Sequence, residues 1–341
     1  MNTYPGKVDD WARLVFDWNL PLAEKTLSVF AFQYHENEIY GRFVDALRID
    51  PSTVTTPDEI PLLPIEAFRD AVIKTGKWND PELVFQSSGT GGMTRSRHEI
   101  FSAGMYQKSI LEGFREFYPE SNCDDLVVLG YTPGYADNPH SSLIWMINEL
   151  IRQDTSGLSR FLPLNKPLDN DEIQKIAESG KRLMLFGAAF GLLDLIEMGS
   201  PALPEGTIVM ETGGMKTYKR EMTRTKLHDR LSAGFGIPGH NIHSEYGMAE
   251  MLSQAYDVGE KGLKTPSWLN ITIRDPQDPM RVLEAGEEGL IGVIDLANVY
   301  SCSFLLTGDR GVMGRDGRFS VLGRWKTENL RGCNFLIDQE V

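Results

Sequence analysis

Short apolar runs alternate with helix-like patterns through the middle of the chain, and this alternation constrains the fold more strongly than any other feature. Runs typical of buried strands occupy residues 126–129, 183–186, 208–210 and 241–243. Helical periodicity appears between or after them, at residues 143–151, 190–196 and 219–233. Strands that alternate with helices favour an α/β fold in which mostly parallel, multi-stranded sheets are flanked by helices.

The pattern changes after residue 251, where short strands are separated by turns rich in glycine, proline and aspartate. These strands are predicted at residues 270–274, 289–295, 303–307 and 319–322, and they indicate a small antiparallel β region near the C-terminus. The N-terminal part differs again. Residues 8–50 have helical spacing, and the proline-rich residues 51–64 predict a linker or an extended wrap.

These changes of pattern divide the chain into four predicted parts. Residues 1–80 form an N-terminal helical and extended segment packed on the core. Residues 81–258 form the α/β core with a phosphate loop, residues 259–322 a small β subdomain, and residues 323–341 a C-terminal tail. The 341 residues are enough for one large domain or two of ordinary size.

Composition narrows the class of protein. A hydrophobic content of 41% with 24% charged residues is ordinary for a globular chain and argues against disorder. The net charge of −14 argues against nucleic-acid or anionic-membrane partners, because such surfaces require a basic footprint. The three cysteines, Cys123, Cys302 and Cys333, are too few and too scattered for a disulfide framework. With no export signal at the start and no apolar run long enough for a transmembrane segment, we expect a cytoplasmic protein.

Residues 86–98 pack glycine, serine and threonine together and include two arginines, Arg95 and Arg97. Such a segment can wrap backbone N–H groups and hydroxyls around a phosphate, because glycine permits close approach and arginine supplies charge. Apolar residues precede it and an alternating run follows it, which predicts a strand, a loop and a second strand. An ordinary surface loop is the alternative interpretation.

The familiar nucleotide motifs do not fit this loop. A P-loop ends in Gly-Lys-Ser/Thr, whereas Gly92 is followed by Met93 and Thr94. A dinucleotide fingerprint needs a third glycine and a following helix, but Thr94 stands where that glycine is required. The protein-kinase loop is excluded because no His-Arg-Asp or Asp-Phe-Gly triplet lies downstream. The sequence therefore predicts a phosphate-binding loop of a different kind.

Polar clusters fall just after four of the predicted strands, at residues 211–214, 243–250, 307–309 and 323–324. Each cluster alone is more typical of a turn. Ligands of open α/β sheets bind at the carboxyl ends of strands, so the joint placement favours a site. The residue types suit a nucleoside triphosphate, with glycines for a flat ring, an aromatic ring for the base, a carboxylate for magnesium, and a charged pair for the ribose. In that order they are Gly213 and Gly214, Tyr246, Glu250, Asp309 and Arg324.

Two other sites are considered and disfavoured. His240, His243 and Glu245 have a spacing that could hold a metal, but zinc sites usually need a further ligand at suitable spacing and none is evident. His140 stands beside Ser141, which invites a serine-hydrolase interpretation, yet the chain contains no Gly-x-Ser-x-Gly elbow.

Taken together and in this order, the motifs resemble those of the adenylate-forming superfamily of acyl-CoA synthetases and luciferases. Residues 87–92 are similar to its phosphate loop, residues 246–250 to its Tyr-Gly-x-x-Glu motif, residues 307–309 to its Thr-Gly-Asp motif, and residues 323–324 to its Gly-Arg hinge. The resemblance covers about residues 80–335. It implies a fold like the N-terminal domain of that superfamily and the cofactors ATP and Mg²⁺.

The resemblance also assigns roles to individual residues. Arg95 is the catalytic cation expected beside the β and γ phosphates, and Glu250 is the expected magnesium ligand. The residues expected to cradle the phosphates are Ser87, Ser88, Gly89, Thr90, Gly91 and Gly92. Those expected at the adenine are Gly213, Gly214, Tyr246 and Gly247, and those expected at the ribose are Asp309 and Arg324.

The closer similarity is to the acyl-protein synthetases of bacterial bioluminescence, a component of fatty-acid reductase systems. Residues 139–143 resemble that branch's Ser-Ser-Leu segment, and residues 331–333 resemble its Arg-Gly-Cys tail. A cysteine near the C-terminus accepts the acyl group in that branch, and Cys333 occupies the matching position. A buried structural cysteine is the alternative role for Cys333. The resemblance implies an AMP-forming ligase that activates a carboxylic acid and transfers its acyl group to a thiol. It also implies an acyl-acceptor protein or a reductase as partner.

The acid pocket is expected between the strand ends and the helices around residues 130–190. Apolar side chains that suit its walls are Tyr131, Trp145, Met146, Phe186 and Phe190. Such a lining suits a fatty acid and an aromatic acid alike, so the sequence leaves the class of acid open.

Some features depart from the superfamily pattern. Only 17 residues follow Arg324, so the mobile C-terminal domain and its adenylation lysine are expected to be absent. Lys326 replaces the hinge aspartate, and Arg95 with Arg97 replace the usual lysine of the phosphate loop. Two alternative functions stay open, of which the missing C-terminal domain disfavours the first and the missing lysines favour the second. One is an aryl- or acyl-CoA ligase of the phenylacetate type, and the other is a catalytically degenerate partner protein that binds a nucleotide or an acyl group.

Overall fold

The computed structural model describes residues 8–87, 95–119, 125–134, 136–213 and 222–325. The chain forms two compact units, of which the first comprises Met1–Tyr106, Glu250–Leu252 and Ser267–Val341, and the second Gln107–Ala249 and Ser253–Pro266. The helices are α1 (Val8–Val15), α2 (Leu22–Glu36), α3 (Glu38–Ala46), α4 (Ala67–Asp70), α5 (Ala103–Phe117), α6 (Ser142–Ile151), α7 (Asn170–Glu178), α8 (Ala189–Glu197) and α9 (Arg224–Phe235). The strands are β1 (Leu63–Pro64), β2 (Leu83–Gln86), β3 (Arg97–Ile100), β4 (Leu126–Tyr131), β5 (Arg160–Phe161), β6 (Arg182–Ala188), β7 (Ile208–Thr212), β8 (Ile242–Tyr246), β9 (Ala255–Asp257), β10 (Leu269–Arg274), β11 (Glu288–Asp295), β12 (Phe304–Met313) and β13 (Phe319–Arg324).

The first unit contains a mixed five-stranded sheet. Its order is β1-β12-β11-β10, with β13 also paired to β12, and every pairing is antiparallel except that of β1 with β12. The antiparallel β region predicted near the C-terminus is present, but it is larger than expected because β1 joins it from the N-terminal part. Residues 51–64 thus end inside a sheet, and the N-terminal helices share a unit with residues 267–325.

Helices α1 to α3 confirm the helical spacing predicted for residues 8–50. Each of them buries part of its apolar face, with Trp11 and Val15 buried in α1, Phe30 in α2 and Val44 in α3. The Phe30 ring meets the Phe304 ring of β12 edge-on, with centroids 5.9 Å apart, so α2 packs on the first sheet. Among the described residues, no helix has the length and apolar character that a bilayer crossing needs.

The second unit is built on a six-stranded sheet of order β5-β4-β6-β7-β8-β9, which is parallel except for the β8–β9 pair. One face carries a core in which alternate strand residues such as Leu129 and Leu185 pack with Leu192 of α8. Helix α6 lies on the other face, since a Cβ added to Gly130 would come within 3.0 Å of Ile147. The predicted alternation therefore folds as a mostly parallel sheet with helices on both faces.

Two of the polar clusters, residues 307–309 and 323–324, lie inside strands and do not follow them, contrary to the sequence-based expectation. The clusters at residues 211–214 and 243–250 begin inside β7 and β8 and run past the ends of these strands. β8 runs through Tyr246, β12 continues past Asp309, and β13 includes Arg324. Glycine and aspartate are typical of turns, so the sequence pattern ends β12 at residue 307. In the structure, pairing with β11 and β13 carries the strand through that segment, with a register shift after Arg310.

Candidate functional site

A β-hairpin of the first unit holds the two ends of the predicted phosphate loop together. β2 and β3 are antiparallel, with Gln86 opposite Arg97, which confirms the two strands predicted on either side of the loop segment. The Ser87 N–H donates to the Ser96 carbonyl oxygen at 3.2 Å, and the Ser96 N–H donates to Ser87 Oγ at 3.1 Å. These two serines form the neck of the loop, and Arg95 beside Ser96 is exposed. Outside the described residues lie Ser88, Gly89, Thr90, Gly91 and Gly92.

Ser96 also links the neck to Glu250. Its Oγ donates a hydrogen bond to Glu250 Oε1, and both side chains are buried. Burial raises the pKa of the Glu250 carboxyl, while the hydrogen bond from Ser96 and the charge of Arg324 oppose that rise. A bound cation would therefore stabilise the charged form of this buried carboxylate.

The donor set at Glu250 fits a magnesium ion that a nucleotide helps to hold. Mg²⁺ prefers oxygen ligands and is usually bound through one or two carboxylates together with substrate phosphates. The described residues contain no group of three or more His, Cys, Asp or Glu side chains placed to hold a metal by themselves. The Glu250 carboxylate can thus serve as a Mg²⁺ ligand when phosphate oxygens of the nucleotide complete the coordination shell of the ion.

Asp309 and Arg324 are direct cross-strand neighbours in the first unit. They lie opposite each other in the antiparallel β12–β13 pair, and Arg324 Nε is 3.4 Å from Asp309 Oδ1. Asp309 is buried, whereas the Arg324 side chain is 66% exposed. Such a carboxylate can accept hydrogen bonds from hydroxyl groups, while the exposed guanidinium is open to an anion or a sugar.

The backbone of the Thr-Gly-Asp segment is held from two sides. Thr307 Oγ1 donates to the Ile291 carbonyl oxygen at 2.9 Å and accepts from the Asp309 N–H at 3.1 Å. The Trp325 N–H donates to the Gly308 carbonyl oxygen at 2.9 Å. The Asp309 carboxylate therefore projects from a backbone that β11 and the end of β13 both fix.

In the second unit, β7 and β8 bring two predicted adenine segments to the same end of the sheet. Thr212 and Glu245 lie opposite each other, and the Thr212 hydroxyl donates a hydrogen bond to Glu245 Oε2. Gly213 has a φ of +90°, which favours glycine, and a Cβ there would meet no described atom within 4 Å. Gly247 needs glycine for another reason, because a Cβ would lie 2.6 Å from Glu245 Oε1. Within the described part of the chain, Gly213 therefore has no neighbour that would block a flat ring, whereas Gly247 is packed against a carboxylate.

Tyr246 ends β8 between Glu245 and Gly247 and is largely buried. A base can therefore stack only on the part of its ring that remains accessible. Gly214, the last of the predicted adenine residues, lies outside the described residues.

Sequence reasoning missed a buried acidic network at this end of the second sheet. Burial raises the pKa of the Glu245 carboxyl to about 7, the hydrogen bond from Thr212 lowers it, and the charge of Glu211 raises it again. Glu211 accepts a hydrogen bond from Ser244 Oγ at 2.5 Å and lies 3.6 Å from Arg224 Nε. The available signal was Glu211 near the end of the otherwise mostly apolar strand β7, since acidic residues are rarely buried unless they are paired.

The two disfavoured alternative sites are not formed by the described residues. Tyr118 and His243 Nδ1 share a 2.8 Å hydrogen bond, and Glu245 is engaged in the acidic network, so neither is arranged about a metal. Ser141 accepts a hydrogen bond from the Ile144 N–H as the N-cap of α6. That serine therefore has a structural role at the start of a helix.

The five side chains expected to wall the acid pocket do not share one face of the second sheet. Tyr131 and Phe190 belong to the core on the side of α8. Phe186 alternates with the core residues of β6 and so points to the opposite face. Trp145 and Met146 lie in α6 on that opposite side. These five residues consequently do not form a single wall.

Of Cys302 and Cys333, the structure describes only Cys302. Cys333, the predicted nucleophile, lies outside the described residues. Cys302 is fully buried, and burial raises the pKa of its thiol to about 12. Its Sγ donates to the Phe304 carbonyl oxygen at 3.5 Å. Cys302 is therefore not suited to thiolate chemistry.

A family model and two bacterial relatives match most of the chain. A family model described as acyl-protein synthetase, LuxE, matches residues 14–341. The long-chain-fatty-acid–luciferin-component ligase of Vibrio harveyi is 23% identical over 330 residues, which cover 91% of this chain and 85% of the relative. The protein of the same name from Aliivibrio fischeri is 22% identical over 336 residues, which cover 90% of this chain and 82% of the relative.

The fold is also found among solved adenylate-forming enzymes. A crystal structure of 2-hydroxyisobutyryl-CoA ligase, in an open conformation with 2-HIB-AMP and CoA, matches with a TM-score of 0.62 at 15% identity. The match covers 89% of this chain and 71% of that one, and at this identity it establishes the fold alone. Because the family model spans nearly the whole chain, the protein belongs to the LuxE family of acyl-protein synthetases.

Proposed function

We propose that this protein uses ATP to activate a fatty acid as an acyl-adenylate and then transfers the acyl group to a thiol. The observation that carries the proposal is the match of the acyl-protein synthetase model to residues 14–341. Both bacterial relatives are named long-chain-fatty-acid–luciferin-component ligases, which supports a fatty acid over an aromatic acid.

Glu250 and the loop neck are the proposed binding groups for the triphosphate and its magnesium. Glu250 supplies a carboxylate oxygen, and the hydrogen bond from Ser96 orients that carboxylate. Mg²⁺, when bound, neutralises phosphate charge and so favours attack at the α-phosphorus. Arg95 is exposed and supplies positive charge to the β and γ phosphates. The proposed cradle comprises Ser87, Ser88, Gly89, Thr90, Gly91 and Gly92.

The ribose is assigned to Asp309 and Arg324. A buried carboxylate accepts two hydroxyl hydrogen bonds with little reorganisation, because its backbone is already fixed on both sides. Arg324 is exposed enough to donate to the sugar or to a phosphate oxygen.

The adenine is assigned to the turns that follow β7 and β8. Gly213 supports this assignment because no atom of the described residues lies within 4 Å of a Cβ placed there, and glycine lets a ring approach the backbone. The full set of proposed adenine contacts is Gly213, Gly214, Tyr246 and Gly247.

The proposed chemistry has two steps. A carboxylate oxygen of the acid attacks the α-phosphorus, the bond to the bridging oxygen breaks, and pyrophosphate leaves. Positioning and charge neutralisation dominate this step, because no protein side chain forms a covalent bond in it. A thiolate then attacks the acyl carbonyl carbon, a thioester forms, and AMP leaves. Cys333 is the proposed thiol, and an acyl-acceptor protein or a reductase is the proposed partner that receives the acyl group. A cytoplasmic location stays a prediction.

ATP–pyrophosphate exchange in the presence of Mg²⁺, across straight-chain fatty acids and aromatic acids, tests this function. We expect exchange with long-chain acids and none with benzoate or phenylacetate. Exchange with aromatic acids alone, together with CoA-dependent release of a thioester, would favour the aryl-CoA ligase alternative. ATP binding without exchange for any acid would favour the degenerate binding protein.

A further inference from the structure

Two side chains hold the backbone around Glu250. The short segment Glu250–Leu252 belongs to the first unit, although its sequence neighbours on both sides belong to the second. Asn298 Nδ2 donates to the Glu250 carbonyl oxygen at 2.7 Å. Asp295 Oδ2 accepts from the Leu252 N–H, also at 2.7 Å. Both ends of this three-residue segment are therefore fixed by side chains of one neighbouring turn.

The turn that carries these side chains is stabilised by a hydrogen bond of its own. β11 ends at Asp295, and one turn of 3-10 helix, Leu296–Asn298, follows it. Asp295 Oδ1 accepts from the Ala297 N–H at 3.2 Å, so a single carboxylate both caps the turn and holds Leu252. Asp295 and Asn298 are both fully buried. Loss of either bond would leave a buried polar group unsatisfied, which makes the arrangement costly to distort.

Helix α2 anchors this turn through Gln33. Gln33 Nε2 donates to the carbonyl oxygens of Asn298 and Val299 at 3.0 and 2.9 Å. Its Oε1 accepts from the Ser303 N–H at 2.9 Å. Because Gln33 is fully buried and bonds to the backbone at both ends of residues 298–303, the turn presents the Asn298 amide to Glu250 at a fixed position.

Glu250 is thus held at two points, by Ser96 at its carboxylate and by Asn298 at its carbonyl oxygen. We propose that Asp295 and Asn298 are positioning residues that fix the Glu250 backbone so that its carboxylate meets a magnesium-bound triphosphate. The inference rests on the proposed function, because it takes Glu250 as the metal ligand. Asp295 and Asn298 act through Glu250 and have no contact with the nucleotide in this proposal.

A matched pair of substitutions separates positioning from general stability. Asn298→Asp keeps the side-chain volume but replaces the amide donor with an oxygen that faces the Glu250 carbonyl. Asn37→Asp makes the same change at an equally buried asparagine that holds the same 298–303 segment without contacting Glu250. Asn37 donates to the Ser301 carbonyl oxygen at 2.8 Å and to Thr75 Oγ1 at 3.1 Å, and its Oδ1 accepts from the Tyr40 N–H at 3.0 Å. The two variants should lose similar stability, and thermal melting of the full chain checks that they do.

The readout is calorimetric binding of ATP to the full chain over a series of Mg²⁺ concentrations. We expect Asn298→Asp to weaken Mg·ATP binding about tenfold and to raise the Mg²⁺ concentration at half-saturation. Residues that hold a metal ligand in position typically change the metal affinity by a factor of that order. Asn37→Asp should change neither quantity by more than about twofold. In a Glu250→Gln background, Asn298→Asp should add no further loss, because the two residues act as a unit.

Equal weakening by Asn298→Asp and Asn37→Asp, or no weakening by either, would overturn the positioning role. Should Asn298→Asp fail to fold, Asn298→Ala removes the same donor without adding a charge and carries the same expectation. Binding is measured without turnover, so a wild-type protein that binds Mg·ATP but catalyses no exchange contradicts the proposed function alone. A wild-type protein that does not bind Mg·ATP contradicts both.

Discussion

Asp309 and Arg324 face each other across β12 and β13 at 3.4 Å, yet only one of them is buried. The Asp309 side chain is 4% exposed and the Arg324 side chain is 66% exposed. An ion pair with such an exposed partner is screened by solvent and contributes only about 0–1 kcal/mol to folding. Folding stability therefore depends little on this pair, and its proposed role at the ribose can be tested separately from stability.

Arg324→Ala should change the free energy of unfolding by less than about 1 kcal/mol and weaken ATP binding at least about tenfold, since it removes charged hydrogen bonds to the ligand. Arg281→Ala is the control, because Arg281 makes a similar exposed pair with Asp275 at 3.4 Å. Denaturant unfolding and calorimetric ATP titration measure the two effects. The same ATP affinity in both variants would refute the ribose assignment.

Ser96→Ala should move the acid limb of the pH–activity profile to higher pH. The charged form of Glu250 is the one proposed to bind magnesium, so activity falls as pH drops through the pKa of this carboxyl. Burial already raises that pKa, and the hydrogen bond from Ser96 lowers it, so loss of the hydroxyl raises it further.

To locate the acid limb, the rate of pyrophosphate exchange is divided by the ATP concentration and measured from about pH 5 to about pH 9. Ser109→Ala is the control, since Ser109 is equally buried but its hydroxyl bonds to Ser253 at 3.0 Å. An acid limb that stays in place in Ser96→Ala, or moves to lower pH, would contradict the role given to this serine.

Glu245→Gln should flatten the dependence of stability on pH between about pH 4.5 and pH 7. Burial raises the pKa of the Glu245 carboxyl from 4.5 to about 7. In that window the folded protein keeps a proton that the unfolded chain has released, so the stability contributed by the protonated carboxyl is lost as pH rises. The full loss approaches about 3 kcal/mol above pH 7.

Urea unfolding at about pH 5 and about pH 8 measures this effect. Because glutamine is neutral at both pH values, the free energy of unfolding of Glu245→Gln relative to wild type should increase between them. A difference that is the same at both pH values would show that Glu245 does not retain its proton in the folded state.

Cys333→Ser should leave pyrophosphate exchange intact and abolish the stable acyl-enzyme, because adenylation does not need the thiol. Cys302→Ala should retain the acyl-enzyme, since its buried thiol has a pKa raised to about 12. Labelling with a radioactive fatty acid, followed by denaturing electrophoresis and hydroxylamine treatment, measures the thioester. A thioester that persists in Cys333→Ser would remove Cys333 as the acceptor.

The second sheet was largely predictable, whereas strand ends in both units were not. Strands β4, β6 and β7 are buried on both faces and therefore appear as continuous apolar runs, such as residues 183–186. The end of β12 was placed too early because Gly308 and Asp309 are typical of turns, and only pairing with distant strands extends it. The parallel pairing of β1 with β12 joins residues 63 and 305, which no local pattern reveals.

In the candidate site too, the motif residues were predictable from the sequence, whereas the side chains that hold them in place were not. Glu250, Asp309 and Arg324 stand in motifs that can be read along the chain. Ser96 contacts Glu250 across 154 positions of sequence, and Asn298 contacts it across 48. Side chains that hold a site residue from so far away carry no local spacing signal, so only the folded structure identifies them.

Activation through an acyl-adenylate is tested most directly with a long-chain fatty acid labelled with ¹⁸O in its carboxyl group. Attack of that carboxylate on the α-phosphorus, followed by acyl transfer to a thiol, leaves one labelled oxygen in AMP. We expect mass spectrometry to find ¹⁸O in AMP and none in pyrophosphate or inorganic phosphate. Label in inorganic phosphate with ADP as the other product would show an acyl phosphate, and would contradict activation through an acyl-adenylate.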